Sequence, residues 1–233
     1  MGRTCRVLLG AALLVTGCAQ VPPSAPPEAR RAGTPDLDAA YYREAAGHGA
    51  RVYRVESGNS LVAVRVYRGG RLAKLGHDHV VSSREPGGFI DADKGRADLY
   101  VAVESLAVDD PAQRAAAGFE STPSESDIAG TRSNMLEKVL EAERFPFVVL
   151  RIRAVERGAV QAELSLHGVT RALSIPAKID AGAERIEASG RFAVNQTDFG
   201  IAPFSVLGGA LAVQDRVELW FAIRAGRMTG VNF

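Results

Sequence analysis

Residues 75–81 read LGHDHVV, and the two histidines in that run are the first candidates for chemistry. If the segment is extended, His77 and His79 point to the same face, with Cα atoms about 6.6 Å apart after two steps of strand rise. Two imidazoles so placed could share one metal ion at Zn–N distances of about 2.0–2.1 Å. A metal site needs a third ligand, and only His48 and His167 remain among the four histidines. Asp78 would point to the opposite face. Alternatively, His77, His79 and His167 could supply polar groups at the mouth of a cavity, where they would orient an apolar ligand. Other catalytic machinery finds no residues, for the chain has neither a G-x-S-x-G elbow nor a P-loop. No enzyme activity and no cofactor are expected.

Cysteine carries a different chemistry here. The chain has two, Cys5 and Cys18. Residues 1–17, MGRTCRVLLGAALLVTG, place Arg3 and Arg6 before a short apolar run that ends in small residues. That run is too short to span about 30 Å of hydrocarbon, and it reads as a secretory signal. Leu14, Val15, Thr16, Gly17 and Cys18 resemble the lipobox of bacterial lipoproteins, in which the cysteine is acylated and becomes the mature N-terminus. Acylation of Cys18 would also remove the one thiol left in an oxidising compartment. Ala19, rather than Asp, follows it, and by the same resemblance this favours the outer membrane. The expected location is the bacterial cell envelope, lipid-anchored at the outer membrane and facing the periplasm.

Cleavage after residue 17 leaves 233 − 17 = 216 residues, with 28 − 2 = 26 basic against 27 acidic side chains. A net charge of −1 points to no nucleic-acid partner. Residues 18–50 read as the acylated cysteine and a tether, since 19–35 hold five of the eleven prolines and cannot bury a core. A short helix over 36–47, capped by Asp36 or Asp38, is expected inside that tether. The globular domain then covers 51–233.

Within the domain the dominant signal is alternation of period two. Val160, Ala162, Leu164 and Leu166 alternate with polar residues, Gly168 marks a tight bend, and Val169, Arg171, Leu173 and Ile175 resume the pattern. Similar runs occur around Val62, Leu99, Val148, Ile186 and Val217, with shorter ones near 52–56 and 77–92. Many such strands separated by turn signals predict a mostly β domain, an antiparallel barrel of about eight strands. Residues 111–144 break the pattern and predict a helical insertion, with Ser124 and Asp127 placed for a capping box and Pro146 ending the run. It would serve either as a packed connection or as a lid.

Five motifs in order resemble the YceI-like family of bacterial periplasmic proteins: YRVESGNSLVAVRV, DLYVAVESLAVDD, NMLEKVLEAERFPFVVLRI, LSLHGVTRALSIPAKI and FAVNQTDFGIAPFSVLGGALAVQDRVEL. The resemblance spans roughly Arg51 to Leu219. It implies a lipocalin-like barrel that holds an isoprenoid-type lipid or quinone. Candidate interior residues are Val101, Val103, Leu150, Leu164 and Leu166 on the central runs, and Leu173, Phe192, Leu219 and Phe221 on the later ones. Two other readings stand beside this one: a metal-binding or metal-dependent protein using His77 and His79, and a packed structural envelope module without a ligand.

Overall fold

Alternating apolar and polar residues form strands when one face can be buried, and nearly every such run in this chain does so. The computed structural model describes residues 35–229, together with Met1. The signal-like segment, Cys18 and most of the proline-rich spacer lie outside the described residues. Strands β1 to β5 are Val52–Val55, Leu61–Val66, Arg68–Gly69, His79–Ser83 and Gly87–Asp91. Strands β6 to β10 are Arg96–Ala102, Ala107–Val108, Phe147–Glu156, Ala159–Leu166 and Val169–Pro176. Strands β11 to β15 are Lys178–Ala181, Arg185–Asn195, Ser205–Val206, Leu211–Val213 and Arg216–Arg227. Helices α1, α2 and α3 are Ala39–Gly47, Pro111–Ala117 and Glu125–Asn134.

Twelve strands make one antiparallel sheet, and β13, β14 and β3 make a small second one. Strand β15 is the centre of the large sheet. One of its edges pairs with β12 from Arg216↔Asn195 to Gly226↔Arg185. Its other edge is shared, with β2 bonded to Glu218–Ala222 and β1 to Ala225–Arg227. Strands β4 and β5 pair outside β2 and β1, and the ladder continues through β6, β8 and β9 to β10. Only Ala177 separates β10 from β11, and β11 pairs back onto β12. Counting β1/β2, β4/β5, β6/β7 and β10/β11 each as one bent stave gives eight staves in a ring, four bent plus β8, β9, β12 and β15. The ring keeps a seam: no strand pairing joins β10 to β12 among the described residues. Arg171 on β10 bridges toward the far side there, donating its Nε–H to the Asp198 carbonyl at 2.8 Å.

The hairpin between β9 and β10 turns on two residues. His167 (φ 52°) and Gly168 (φ 75°) both lie in the left-handed region, which matches the twist of a two-residue hairpin. A side chain at Gly168 would also meet the Phe145 ring at 2.6 Å.

The domain starts earlier than the sequence pattern implies. Helix α1, assigned to the tether above, packs on the outer face of β1, β5 and β6 and belongs to the domain. Tyr42 is fully buried against Val52 and Met228 and stacks on Phe89 with ring centres 5.3 Å apart. Its hydroxyl donates to Asp98 at 2.9 Å, and Tyr41 donates to Asp91 at 2.6 Å. Burial, then the Asp98 charge, push the Tyr42 phenol well above its ordinary value, so it remains a donor. The boundary near 51 fails because these anchors are two tyrosines on a short, alanine-rich helix, and nothing in their spacing announces the carboxylates beneath them.

Gly190 on β12 leaves no room for a side chain at the seam. A Cβ there would lie 2.2 Å from the Pro176 carbonyl oxygen and 2.7 Å from the Phe221 ring. Gly190→Val should therefore destabilise the fold by about 1–3 kcal/mol through overpacking. Urea denaturation measures this; an unchanged midpoint would mean the seam yields.

Candidate functional site

The inward faces of the staves enclose a cavity of about 290 Å³ whose wall is almost entirely apolar. Leu99 and Val101 on β6, Leu150 and Ile152 on β8, Leu164 on β9 and Ile175 on β10 form one side. Ile186, Ala188 and Phe192 on β12 and Leu219, Phe221 and Ile223 on β15 form the other. Each set follows its strand's alternation, which is why a period-two sequence yields a continuous lining. Asp91 and Arg96 touch the edge of the cavity; Asp91 accepts from Tyr41, and Arg96 donates through Nη2 to Asp38 and Asp98, while its Nε is buried without a partner among the described residues.

The mouth lies at the end marked by the β5–β6 turn, the end of β8 and strand β11. Gly95, Val155, Ile179 and Ala181 border it, and Val155 and Ile179 are 51% and 39% exposed. Val155 reaches the rim through a break in the pattern. A register shift between Ile152 and Ala154 reverses the alternation, so that Val155, paired with Val160, faces inward where simple alternation would put Ala154. Sequence reasoning missed Ile152, Ile175, Ile186, Ala188 and Ile223 although the alternation does signal them. The shift behind Val155 has no comparable sequence signal.

The opposite end is packed. Leu164, Val194, Phe199, Ile201 and Val217 form a buried cluster, joined by Val139 and Leu140 from the helical insertion. Of the nine expected interior residues, Val101, Leu150, Leu164, Phe192, Leu219 and Phe221 line the cavity. Leu166 and Leu173 pack into the cluster at the closed end instead. Val103 is not on a strand. Strand β6 stops at Ala102 and the chain enters a single helical turn, leaving Val103 buried against Leu136 and Ala142. The insertion itself is a packed connection, for none of its residues lines the cavity. Its α3 carries the expected capping box between Ser124 and Asp127 and runs into a wider turn, Met135–Val139.

None of the three histidines borders the cavity. His167 lies at the far end of β9 from Val160, only 12% exposed in its side chain, with Nε2 3.0 Å from Glu141 and its ring 4.5 Å from that of Phe145. The rings of His77 and His79 are 6.4 Å apart. Among the described residues no cluster of three or more His, Cys, Asp or Glu side chains is arranged to hold a metal ion. His79 instead belongs to a buried polar network that holds the insertion to the sheet. Asp109 is fully buried, with His79 Nδ1 and Arg114 Nη1 each 2.6 Å from its oxygens. The Val80 N–H donates to it at 3.0 Å, and Arg114 also donates to the Asp78 and Ser121 carbonyls. Burial by itself would raise the Asp109 carboxyl, but these donors and the facing charge hold it below the ordinary carboxylate value.

Comparison with known proteins agrees with this architecture. The family model described as YceI-like domain matches residues 87–225. A polyisoprenoid binding domain from Saccharophagus degradans, implicated in plant cell wall breakdown, superposes with a TM-score of 0.55 at 13% identity, over 76% of this chain and 98% of that one. BcnA from Burkholderia cenocepacia superposes with a TM-score of 0.52 at 14% identity, over 73% and 98%. At these identities the likeness is one of fold. No match was found among curated proteins.

The Asp109 network generates a pH-dependent prediction. Asp109→Asn should cost about 3–5 kcal/mol at neutral pH, because it leaves Arg114 buried without its counter-charge. A carboxyl whose folded value is depressed contributes its full stability above the unfolded value of about 3.9 and loses it as pH falls through the folded one. The gap between wild type and variant in urea denaturation should thus hold from pH 7 to about 5 and shrink below about 4. A gap of constant size in strong acid would show that the pair does not carry this stability.

Proposed function

The chain belongs to the YceI-like family, and we propose that it is a binding protein that holds an isoprenoid-type lipid or quinone in the barrel cavity without chemical conversion. The observation that carries this reading is the cavity of about 290 Å³, open at one end and nearly devoid of polar wall atoms. Such a site rewards apolar contact alone. Burial contributes about 0.8 kcal/mol per CH₂, so a chain of about ten carbons gains about 8 kcal/mol before the costs of association. A polar head group would stay at the mouth in water, which is why the wall needs no charged partner. The fold shared with the polyisoprenoid binding domain supports an isoprenoid-type ligand in particular.

We further propose that Cys18 carries an acyl anchor and that residues 19–35 act as a spacer, placing the barrel at the periplasmic face of the outer membrane. The support is the residue pattern ahead of Cys18. Among the described residues no helix is long and apolar enough to cross a membrane.

Organic extracts of protein purified from its native host should contain an isoprenoid species at near-stoichiometric amount by mass spectrometry. Ala188→Phe, which fills the cavity from β12, should lower the bound amount at least about tenfold while leaving the thermal midpoint near that of wild type. Stoichiometric metal with no extractable lipid would overturn the binding reading. Separately, Cys18→Ser should move the protein from the membrane fraction to the soluble one, and retention in the membrane would exclude the anchor.

A further inference from the structure

The cavity is blind, and its floor is built from particular side chains. Leu164, Phe192 and Leu219 line the cavity on one side and touch the closed-end cluster on the other. Directly beyond them Phe199 and Ile201 are 1% and 2% exposed, so no through-passage continues along the barrel axis. The available length is therefore set by the distance from the rim at Val155 and Ile179 down to this floor. A dry apolar cavity of about 150 Å³ accommodates one benzene, or six carbons. On that scale 290 Å³ accommodates about a dozen carbons.

We infer that the cavity acts as a chain-length ruler, gaining affinity from the first dozen or so apolar carbons of a ligand, that is about two to three isoprene units, and little from those beyond, with Leu164, Phe192 and Leu219 as the stop. This rests on the reading that the cavity binds an apolar chain. Carbons beyond that length emerge between Val155 and Ile179, where they lie against a partly exposed rim and bury little further surface. The ruler is adjustable in both directions, because Phe192 is a removable ring at the floor and Ala188 is a small residue partway up the wall.

The test uses straight-chain primary alcohols of increasing length, titrated into delipidated full-length protein by calorimetry. Binding should tighten roughly fourfold per added carbon, the equivalent of about 0.8 kcal/mol, up to about a dozen carbons and then level off. Phe192→Ala should move the break outward by about five or six carbons, the size of the ring removed. Ala188→Leu, which opens no void and so does not depend on the tolerance of the core, should move it inward by about three. Tightening that continues unbroken past about twenty carbons in wild type would overturn the ruler while leaving the binding reading intact. A break that stays in place in both variants would overturn the assignment of the floor. Failure of every alcohol to bind would overturn the ruler and the binding reading together.

Discussion

The double-sided hydrogen bonding of β15 is the constraint on which the rest of this protein depends. Its long ladder to β12 fixes one wall of the cavity, while its other edge is divided between β2 and β1. That division bends the neighbouring staves, since β4 and β5 must follow β2 and β1. Right-handed strand twist, together with the bends between β1 and β2 and between β4 and β5, curls the sheet. The curl that results brings β10 and β11 round to the far side of β12, where Gly190 and Arg171 manage the seam in different ways. Gly190 permits backbone contact, and Arg171 spans the remaining space with a long side chain.

Once the sheet curls, its inner surface must be filled or left open, and this protein does both. At one end Phe199, Ile201 and the Val139–Leu140 turn supply a packed plug. At the other the staves enclose the cavity, and its rim is apolar. The packed half supplies stability through burial. The open half keeps an apolar wall that the protein's own side chains do not fill. Fold stability and ligand capacity are thus drawn from the same column of side chains, and Leu164, Phe192 and Leu219 mark the division.

Polar chemistry is kept outside this column. The two dense networks, Asp91 and Asp98 beneath α1 and Asp109 beneath α2, lie on the outer face or at the closed end. Each fastens a helix to the sheet. Their donors include aromatic hydroxyls, guanidinium groups and one imidazole, which offset the cost of burying the carboxylates, although Asp98 Oδ1 has no hydrogen-bond partner among the described residues. Two of the candidate histidines have structural partners: His79 orients on Asp109, and His167 is held between Phe145 and Glu141.

Residue alternation by itself determined the strands, their inward faces and the presence of a helical insertion, because a period of two is a property of the backbone and needs no partner to be read. It therefore placed Leu150, Leu164, Phe192, Leu219 and Phe221 on the inner surface together with Val101. The Ser124–Asp127 capping box was legible for the same reason, being local. Tertiary structure alone decided which inward residues border open space and which are packed. Leu166 and Leu173 share their strands' inward faces with cavity residues, but they sit where the plug arrives from distant segments. It also decided where strands break phase, at Val103 and Val155, and which outer-face carboxylates α1 would cover. These outcomes depend on contacts between residues far apart in the chain, such as Tyr42 with Asp98 or Leu164 with Phe199, and no local spacing encodes them.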